Sequence, residues 1–226
     1  MTTDRMIVAL DVDGTLFDGR SVDPAATAAV HAAVDDGHTV VIVTGRPWSD
    51  LETVIPDVLR RCAVAVCEHG ALLVDVATSA VSLLAPAVSE KVVQAVASRS
   101  PDSMVIGQAT IGLPVAYTDL AESVCAAPDS GCYVVANKDS IAIVPTGCDK
   151  GTGLTAAVAH LGLQARRVIA VGDATNDLPM FARADVAVAV ANAEPALTAT
   201  GIEVTELPFG AGVAEALTRH LRTTVG

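Results

Sequence analysis

Met6-Ile7-Val8-Ala9-Leu10, followed directly by Asp11-Val12-Asp13-Gly14-Thr15, is the stretch that decides the fold. Its apolar half has no polar interruption, which is typical of a strand buried on both faces of a parallel α/β sheet. Asp11 and Asp13 stand two positions apart, so in extended backbone both side chains lie on the same side. Ligands of open α/β sheets bind beyond the carboxyl ends of strands. The pair therefore predicts a ligand site, with an acidic capping turn as the alternative.

The chain around this stretch alternates between helices and strands. Pro24 with Asp23 as N-cap predicts a helix, and the pattern continues as a doubly wound parallel, Rossmann-like sheet. The N-terminal half is predicted to contain helices over 24–36 and 48–60 and strands over 39–43 and 62–66.

The pattern changes in the middle of the chain. Short apolar runs at 72–74 and 81–84 predict a hairpin, and a helix–strand–strand unit then occurs twice. We therefore predict an α/β core of residues 1–79 and 147–226, interrupted by a small α+β insert of residues 80–146.

Composition restricts the partners. Of the 226 residues, 26 are acidic and 14 are basic, a net charge of −12 that disfavours nucleic acids and anionic membranes. An anionic small molecule needs a local positive centre, which a metal ion could supply. The sequence shows no run of 18 apolar residues, and its five cysteines include no CxxC pair. We expect a cytoplasmic protein without a disulfide framework, a zinc site or a membrane segment.

Three later strand ends carry complementary polar residues: Thr44-Gly45-Arg46, Lys150-Gly151-Thr152 and Gly172-Asp173-Ala174-Thr175-Asn176-Asp177. Together with the Asp11–Thr15 segment they resemble, in order, the four motifs of the haloacid dehalogenase superfamily. The insert is similar to a small type-2 cap, as in subfamily IIB phosphatases. The resemblance implies a phosphatase with a cap that selects the substrate and excludes water.

The first two aspartates have distinct roles by this resemblance. A carboxylate can attack phosphorus and form an aspartyl phosphate, and Asp11 is our candidate nucleophile. Asp13 is the candidate general acid and base, which protonates the leaving oxygen and then activates water.

Four aspartates are candidates for a Mg²⁺ site. Asp173 directly follows a buried strand and is expected to join Asp11 and Asp13, a set of hard oxygen ligands that suits Mg²⁺. The resemblance implies ligation by Asp11, Asp173 and the backbone carbonyl of Asp13. Asp177 could bind the metal, orient Lys150 or cap the following helix.

Other residues are candidates for phosphate binding. Lys150 opens a helix, where the macrodipole disfavours a cation unless a carboxylate and a phosphate converge on it. Thr44 offers a hydroxyl, and Gly45 permits close backbone approach. Arg46 could clamp the phosphate, reach the insert or simply begin a helix in solvent. Asn176 is expected to support this network.

A further group of polar residues is considered for substrate selection. His69 could line the pocket, although a loop histidine is more often without a function. Asn192 and Glu194 are interpreted as the cap and first turn of a helix. The polar candidates in the insert are Gln108, Tyr117, Asn137 and Lys138.

These observations predict a Mg²⁺-dependent phosphomonoester phosphatase that acts on a small phosphorylated metabolite, such as a sugar phosphate or phosphoglycolate. A phosphomutase of the same fold and a non-catalytic phosphosugar-binding module are the alternatives. An NAD-binding role is disfavoured because no glycine-rich turn follows the first strand.

Overall fold

The computed structural model describes residues 5–99, 104–137 and 140–221. Lys138, a polar candidate of the insert, lies outside these ranges. The strands are β1 (Ile7–Leu10), β2 (Thr39–Val43), β3 (Val64–Cys67), β4 (Leu72–Asp75), β5 (Ala80–Leu83), β6 (Val105–Ile106), β7 (Ile111–Pro114), β8 (Cys132–Asn137), β9 (Ser140–Pro145), β10 (Val168–Gly172), β11 (Val186–Ala189) and β12 (Glu203–Val204). The helices are α1 (Pro24–Asp35), α2 (Trp48–Val54), α3 (Pro56–Leu59), α4 (Glu90–Ala97), α5 (Thr118–Cys125), α6 (Lys150–His160), α7 (Leu178–Phe181), α8 (Pro195–Thr198) and α9 (Phe209–His220).

The larger sheet has eight strands in the order β12-β11-β10-β1-β2-β3-β4-β5. β1 lies between β10 and β2 and is parallel to both. All four residues of β1 are buried, as the uninterrupted apolar run predicted. Val8 and Leu10 pack into one apolar cluster, whereas Ile7 and Ala9 pack into a second one. Alternate residues of a strand point to opposite faces, so both faces of the sheet are covered and the predicted α/β fold is confirmed.

Helix α1 begins as predicted, since the Asp23 side chain accepts a hydrogen bond from the Ala25 N–H and Pro24 occupies the first turn. The single helix predicted over 48–60 is wrong. The residue before a proline is sterically disfavoured in the helical conformation, and Ile55, before Pro56, has φ −134° and ψ 44°. The segment is therefore divided into α2 and α3.

The second sheet has four antiparallel strands in the order β6-β7-β9-β8. Helices α4 and α5 pack against it through their own apolar cluster, which includes Val92, Val124 and Ile143. We refer to residues 90–145 as the cap. The predicted hairpin is present, but both β4 and β5 belong to the larger sheet. The predicted boundary between residues 79 and 80 therefore falls inside that sheet.

Helices in the described part of the chain reach at most 12 residues, and none is long and apolar enough to cross a membrane. The carboxyl ends of β1, β2 and β10 lie side by side at one edge of the larger sheet. Because the residues that follow these strands are Asp11, Thr44 and Asp173, the topology assembles the candidate site at that edge.

Candidate active site

A buried ion-pair network lies at the centre of this edge. The Lys150 Nζ is 2.7 Å from Asp11 Oδ1 and 2.6 Å from Asp177 Oδ1. Lys150 is only 3% exposed, although it is the first residue of α6. The preceding residue, Asp149, forms a capping box with Thr152, which fixes the start of the helix. The two carboxylates explain why a cation is tolerated at this helix N-terminus.

Asp177 bonds to the chain through both of its carboxylate oxygens. Its Oδ1 accepts from Lys150, and its Oδ2 accepts from the N–H groups of Asp173 and Ala174 at 2.9 and 3.1 Å. A side chain at Gly172 would collide with this carboxylate. Asp177 precedes α7 but makes no capping bond to it. The prediction that Asp177 caps the following helix is thus wrong, and its contacts favour the alternative in which it orients Lys150.

Asp11, Asp173 and Asp177 form a buried cluster of possible metal ligands. One carboxylate oxygen from each lies within 4.8 Å of the others. The Thr15 hydroxyl donates to Asp173 Oδ1 at 3.2 Å. Asn176 has a buried Oδ1 with no hydrogen-bond partner among the described atoms, and such an acceptor is costly unless a donor or cation meets it. This set of hard oxygen donors fits Mg²⁺.

The pKa values of the buried groups also favour a cation beside Asp11. Burial, together with the charges of Asp177 and Asp173, raises the pKa of Asp11 to about 8 against the opposing effect of Lys150. Burial lowers the Lys150 pKa, but the carboxylates of Asp11 and Asp177 outweigh it and hold that pKa above its ordinary value. A nucleophilic carboxylate must be ionised, so a further positive charge beside Asp11 would favour the reactive form.

Asp13 lies apart from this cluster. Arg46 donates to both of its oxygens, from Nε to Oδ2 and from Nη2 to Oδ1, each at 2.7 Å. The guanidinium also lies over the Phe17 ring, 5.6 Å from its centroid. The guanidinium group, for which phosphate clamping was one of three predicted alternatives, binds Asp13 in this structure. The two side chains are about a third exposed and face the cavity described below.

The loop after β2 brings together Thr44, Gly45 and His69. The Thr44 hydroxyl accepts from the Arg46 N–H, and a hydroxyl in that role can still donate its own hydrogen. The His69 ring packs so closely on Gly45 that a Cβ there would collide with it. Burial and, secondarily, Lys150 lower the pKa of His69 to about 3, which keeps the ring neutral. Besides the close backbone approach that the sequence predicted, the packing of His69 is thus a second reason for a glycine at position 45.

Asn192 and Glu194 have contacts that the sequence interpretation missed. Asn192 donates from Nδ2 to the Gly14 carbonyl and accepts from the Phe209 N–H, so it joins the loop after β1 to α9. Glu194 accepts from the Thr175 N–H and makes no side-chain cap on α8. Both residues support the site loops. Their partners are 17 to 178 positions away, so no local signal could have found them.

A cavity of about 750 Å³ lies between the larger sheet and the cap. The larger domain contributes Asp13, Arg46, Glu68 and His69 to its lining. Of the predicted polar residues in the insert, Asn137 lines this cavity, whereas Gln108 and Tyr117 do not. The cap contributes mostly apolar and small polar side chains, among them Val105, Thr110, Leu113, Asn137, Ser140 and Ile141.

Comparison with known proteins identifies the family. A family model described as haloacid dehalogenase-like hydrolase matches residues 8–105 and 117–217. Phosphoglycolate phosphatases of Haloarcula marismortui and Natronomonas pharaonis are 29% and 30% identical, over 96% and 94% of this chain and 98% and 96% of their own lengths. Phosphoglycolate phosphatase 2 of Saccharolobus solfataricus is 40% identical, but over only 40% of this chain and 38% of that protein.

Solved structures agree on the fold. A haloacid dehalogenase-like hydrolase from Bacteroides thetaiotaomicron superposes with a TM-score of 0.79 at 17% identity, over 95% of this chain and 99% of that one. A subclass IIB sugar phosphatase superposes with a TM-score of 0.73 at 18% identity, over 95% and 98%. The chain therefore belongs to the haloacid dehalogenase-like hydrolases and is a phosphoric monoester hydrolase.

Proposed function

We propose that this enzyme is Mg²⁺-dependent and hydrolyses a small phosphorylated metabolite, such as a sugar phosphate or phosphoglycolate, through an aspartyl phosphate on Asp11. The observation that carries this proposal is the buried contact of Lys150 with Asp11 and Asp177, beside Asp173 and two positions from Asp13, which lines the cavity. The phosphoglycolate phosphatases that match nearly the full chain support the choice of substrate class.

The metal site would use Asp11, Asp173 and the backbone carbonyl of Asp13, with Asp177 next to them. A bound Mg²⁺ would supply charge neutralisation for the phosphoryl oxygens. Lys150 adds a fixed positive charge on the same side and holds Asp11 Oδ1 in place.

In the first half-reaction, a carboxylate oxygen of Asp11 forms a bond to phosphorus while the bond to the leaving oxygen breaks. Asp13 gives that oxygen a proton. In the second half-reaction, Asp13 takes a proton from water, which attacks phosphorus and releases phosphate and free Asp11. Thr44 and Lys150 would bind phosphoryl oxygens, whereas Arg46 orients Asp13.

The net charge of −12 supports a small metabolite rather than nucleic acid as the partner. The cysteines described in the structure are all free thiols, which supports a reducing, cytoplasmic location.

The test is phosphate release from a panel of phosphomonoesters, with and without Mg²⁺, by the wild type, Asp11→Asn and the control Asp119→Asn. Asn keeps the shape of Asp11 but removes the nucleophilic charge, so we expect release to fall at least about a thousandfold. Asp119 lies exposed on α5, and its variant should match the wild type.

Equal release by Asp11→Asn and the wild type would refute the proposed nucleophile. If isotopic label instead moved between positions of the substrate with no release of phosphate, the enzyme would be a phosphomutase. Binding of phosphosugars without turnover of any ester would favour the non-catalytic alternative.

A further inference from the structure

Glu68 follows β3 in an unusual backbone conformation. Glu68, His69 and Gly70 have φ values of 50°, 56° and 95°, which is the left-handed region. The Glu68 N–H donates to the Arg46 carbonyl and the His69 N–H to the Thr44 carbonyl, both at 3.0 Å. The backbone of Glu68 is therefore bonded to the loop that carries two of the candidate catalytic-site residues. Strained backbone of this kind persists only where the surrounding structure holds it.

The Glu68 side chain contacts the cap rather than its own domain. It is 1% exposed, and four donors of the β6–β7 loop surround its carboxylate. Oε1 accepts from the Gln108 N–H at 2.8 Å. Oε2 accepts from the Ala109 N–H at 2.8 Å and from the N–H and hydroxyl of Thr110, both at 3.0 Å. Successive N–H groups that converge in this way form an anion-binding concavity.

The β6–β7 loop is shaped for this carboxylate. The Gly107 N–H donates to the Thr110 carbonyl at 2.9 Å, which closes a tight turn. A Cβ at Gly107 would collide with the Glu68 carboxylate. The Val88 N–H donates to the Ala109 carbonyl, so the loop also holds the segment that leads from β5 into the cap. The contact thus lies where the chain passes from one sheet to the other.

We propose that Glu68 is a positioning residue, which sets the cap over the phosphoryl site by holding the β6–β7 loop through four hydrogen bonds. Its backbone is bonded to the loop of Thr44 and Arg46, and its side chain to the cap, so one residue aligns the two walls of the cavity. Glu68, Gly107 and Thr110 all line that cavity. This role rests on the proposed phosphatase function, because the position of the cap over the phosphoryl site determines its contacts with the leaving group of the substrate.

The first experiment compares wild type, Glu68→Gln and the exposed cap control Glu122→Gln. Glutamine has one acceptor oxygen, and its NH₂ group would face N–H donors. In Glu68→Gln we expect hydrogen exchange to accelerate at the amides of residues 108–110, with the exchange of the β8–β9 ladder unchanged. We expect kcat/KM to fall between about tenfold and a hundredfold for the best ester of the panel.

Acetyl phosphate serves as a second substrate, so that the loss of rate in Glu68→Gln can be compared between two leaving groups. A general loss of structure would lower both rates equally, whereas a positioning role would not. The leaving group of acetyl phosphate is small and departs readily, so this substrate needs little from the cap. Its hydrolysis by Glu68→Gln should stay close to the wild-type rate. Equal loss on both substrates would place the effect of Glu68 in the catalytic centre, and unchanged exchange at residues 108–110 would show that the contact does not hold the loop. Either result overturns the proposal.

Gly107→Ala tests the same contact from the other side. Gly107 does not have a positive φ, so alanine meets only the steric obstacle of the carboxylate. We expect Gly107→Ala alone to reproduce the Glu68→Gln phenotype. In a Glu68→Ala background the added methyl no longer meets a carboxylate and should cause little further loss. Additive losses would contradict the proposal. This variant also keeps the test decisive if Glu68→Gln folds poorly.

The hydrogen-exchange measurement distinguishes failure of the Glu68 proposal from failure of the proposed function. If the wild type released no phosphate from any substrate, the proposed function would fail together with the positioning role that rests on it. Active wild type with unchanged exchange in Glu68→Gln would refute the role of Glu68 and leave the phosphatase intact.

Discussion

Asp11 and Asp13 are the same residue type, two positions apart, in two different environments. Asp11 is 3% exposed and contacts Lys150 in a buried network that also contains Asp177. The Asp13 side chain is 32% exposed and pairs with Arg46 at the cavity wall. The fixed cation beside Asp11 suits the nucleophile role that we propose for it, because the charge of Lys150 favours the ionised carboxylate. Partial exposure suits a group that must gain and lose a proton in each cycle. The comparison teaches that two identical side chains in one motif can differ in environment, in the way that the two proposed roles require.

Substitution of Lys150, the cationic side chain of the buried network, should have the largest effect. Lys150→Met leaves the Asp11 and Asp177 carboxylates buried without their partner, and breaking such a pair costs about 3–5 kcal/mol of unfolding free energy. Phosphate release should also fall by on the order of a thousandfold, because the charge at the phosphoryl site is lost. Chemical denaturation and release assays measure both. The control Lys91→Met, on the exposed side of α4, should behave as wild type. A stable, active Lys150→Met would contradict the network.

Two further variants distinguish the aspartates of the buried region. Asp173→Asn should weaken the apparent affinity for Mg²⁺ about ten- to a hundredfold, because it removes a proposed ligand. Asp177→Asn keeps an acceptor for Lys150 but places an NH₂ group against the N–H groups of Asp173 and Ala174. We expect it to lower turnover with little change in the Mg²⁺ requirement. Mg²⁺ titrations of the rate check this, and equal shifts in both variants would identify Asp177 as a ligand.

Substitution of Arg46, which pairs with Asp13 at the cavity wall, should change activity more than stability. Arg46→Ala frees Asp13, so turnover should fall by about ten- to a hundredfold through poorer orientation of the acid–base group. Because the pair is about a third exposed, the unfolding free energy should change by at most about 1 kcal/mol. A pure loss of stability, with turnover preserved, would argue against this role.

The last prediction concerns His69, which should have the smallest effect at neutral pH because its contribution changes only under acidic conditions. Its folded pKa of about 3 is below its ordinary value of 6.5, so the unfolded chain binds more protons between these pH values. Stability should therefore fall as pH drops from 6.5 toward 3, by up to about 1.4 kcal/mol per pH unit from this group. His69→Asn suits the left-handed backbone and should flatten the curve in that window. Denaturation at several pH values tests this, and parallel curves would exclude a contribution from His69.

Much of the site follows from local sequence. Asp11, Thr44 and Asp173 each follow a strand that short apolar runs make recognisable, and parallel strands bring their carboxyl ends to one edge. The break at Ile55 also has a local cause in Pro56, which the predicted helix over 48–60 overlooked.

The remaining contacts depend on tertiary placement. Arg46 meets Asp13 across 33 positions, and Glu68 meets its donors across 40 to 42. No periodicity or spacing encodes which backbone N–H groups of the cap will face a given carboxylate. The hairpin was predicted, but its membership of the larger sheet depends on β3, its antiparallel neighbour.

The central position of β1 has a consequence for the order of folding. Ile7 pairs with Thr39 on one side and with Val168 on the other. During synthesis, β1 can pair early with β2, but its second neighbour is made only after the cap. Contacts so distant along the chain are formed late and slowly. One edge of β1 thus stays unpaired until the segment that carries Lys150 and Asp173 has been synthesised. A chain truncated before β10 would expose that edge to aggregation, so completion of the active site and protection of the nascent chain are one event.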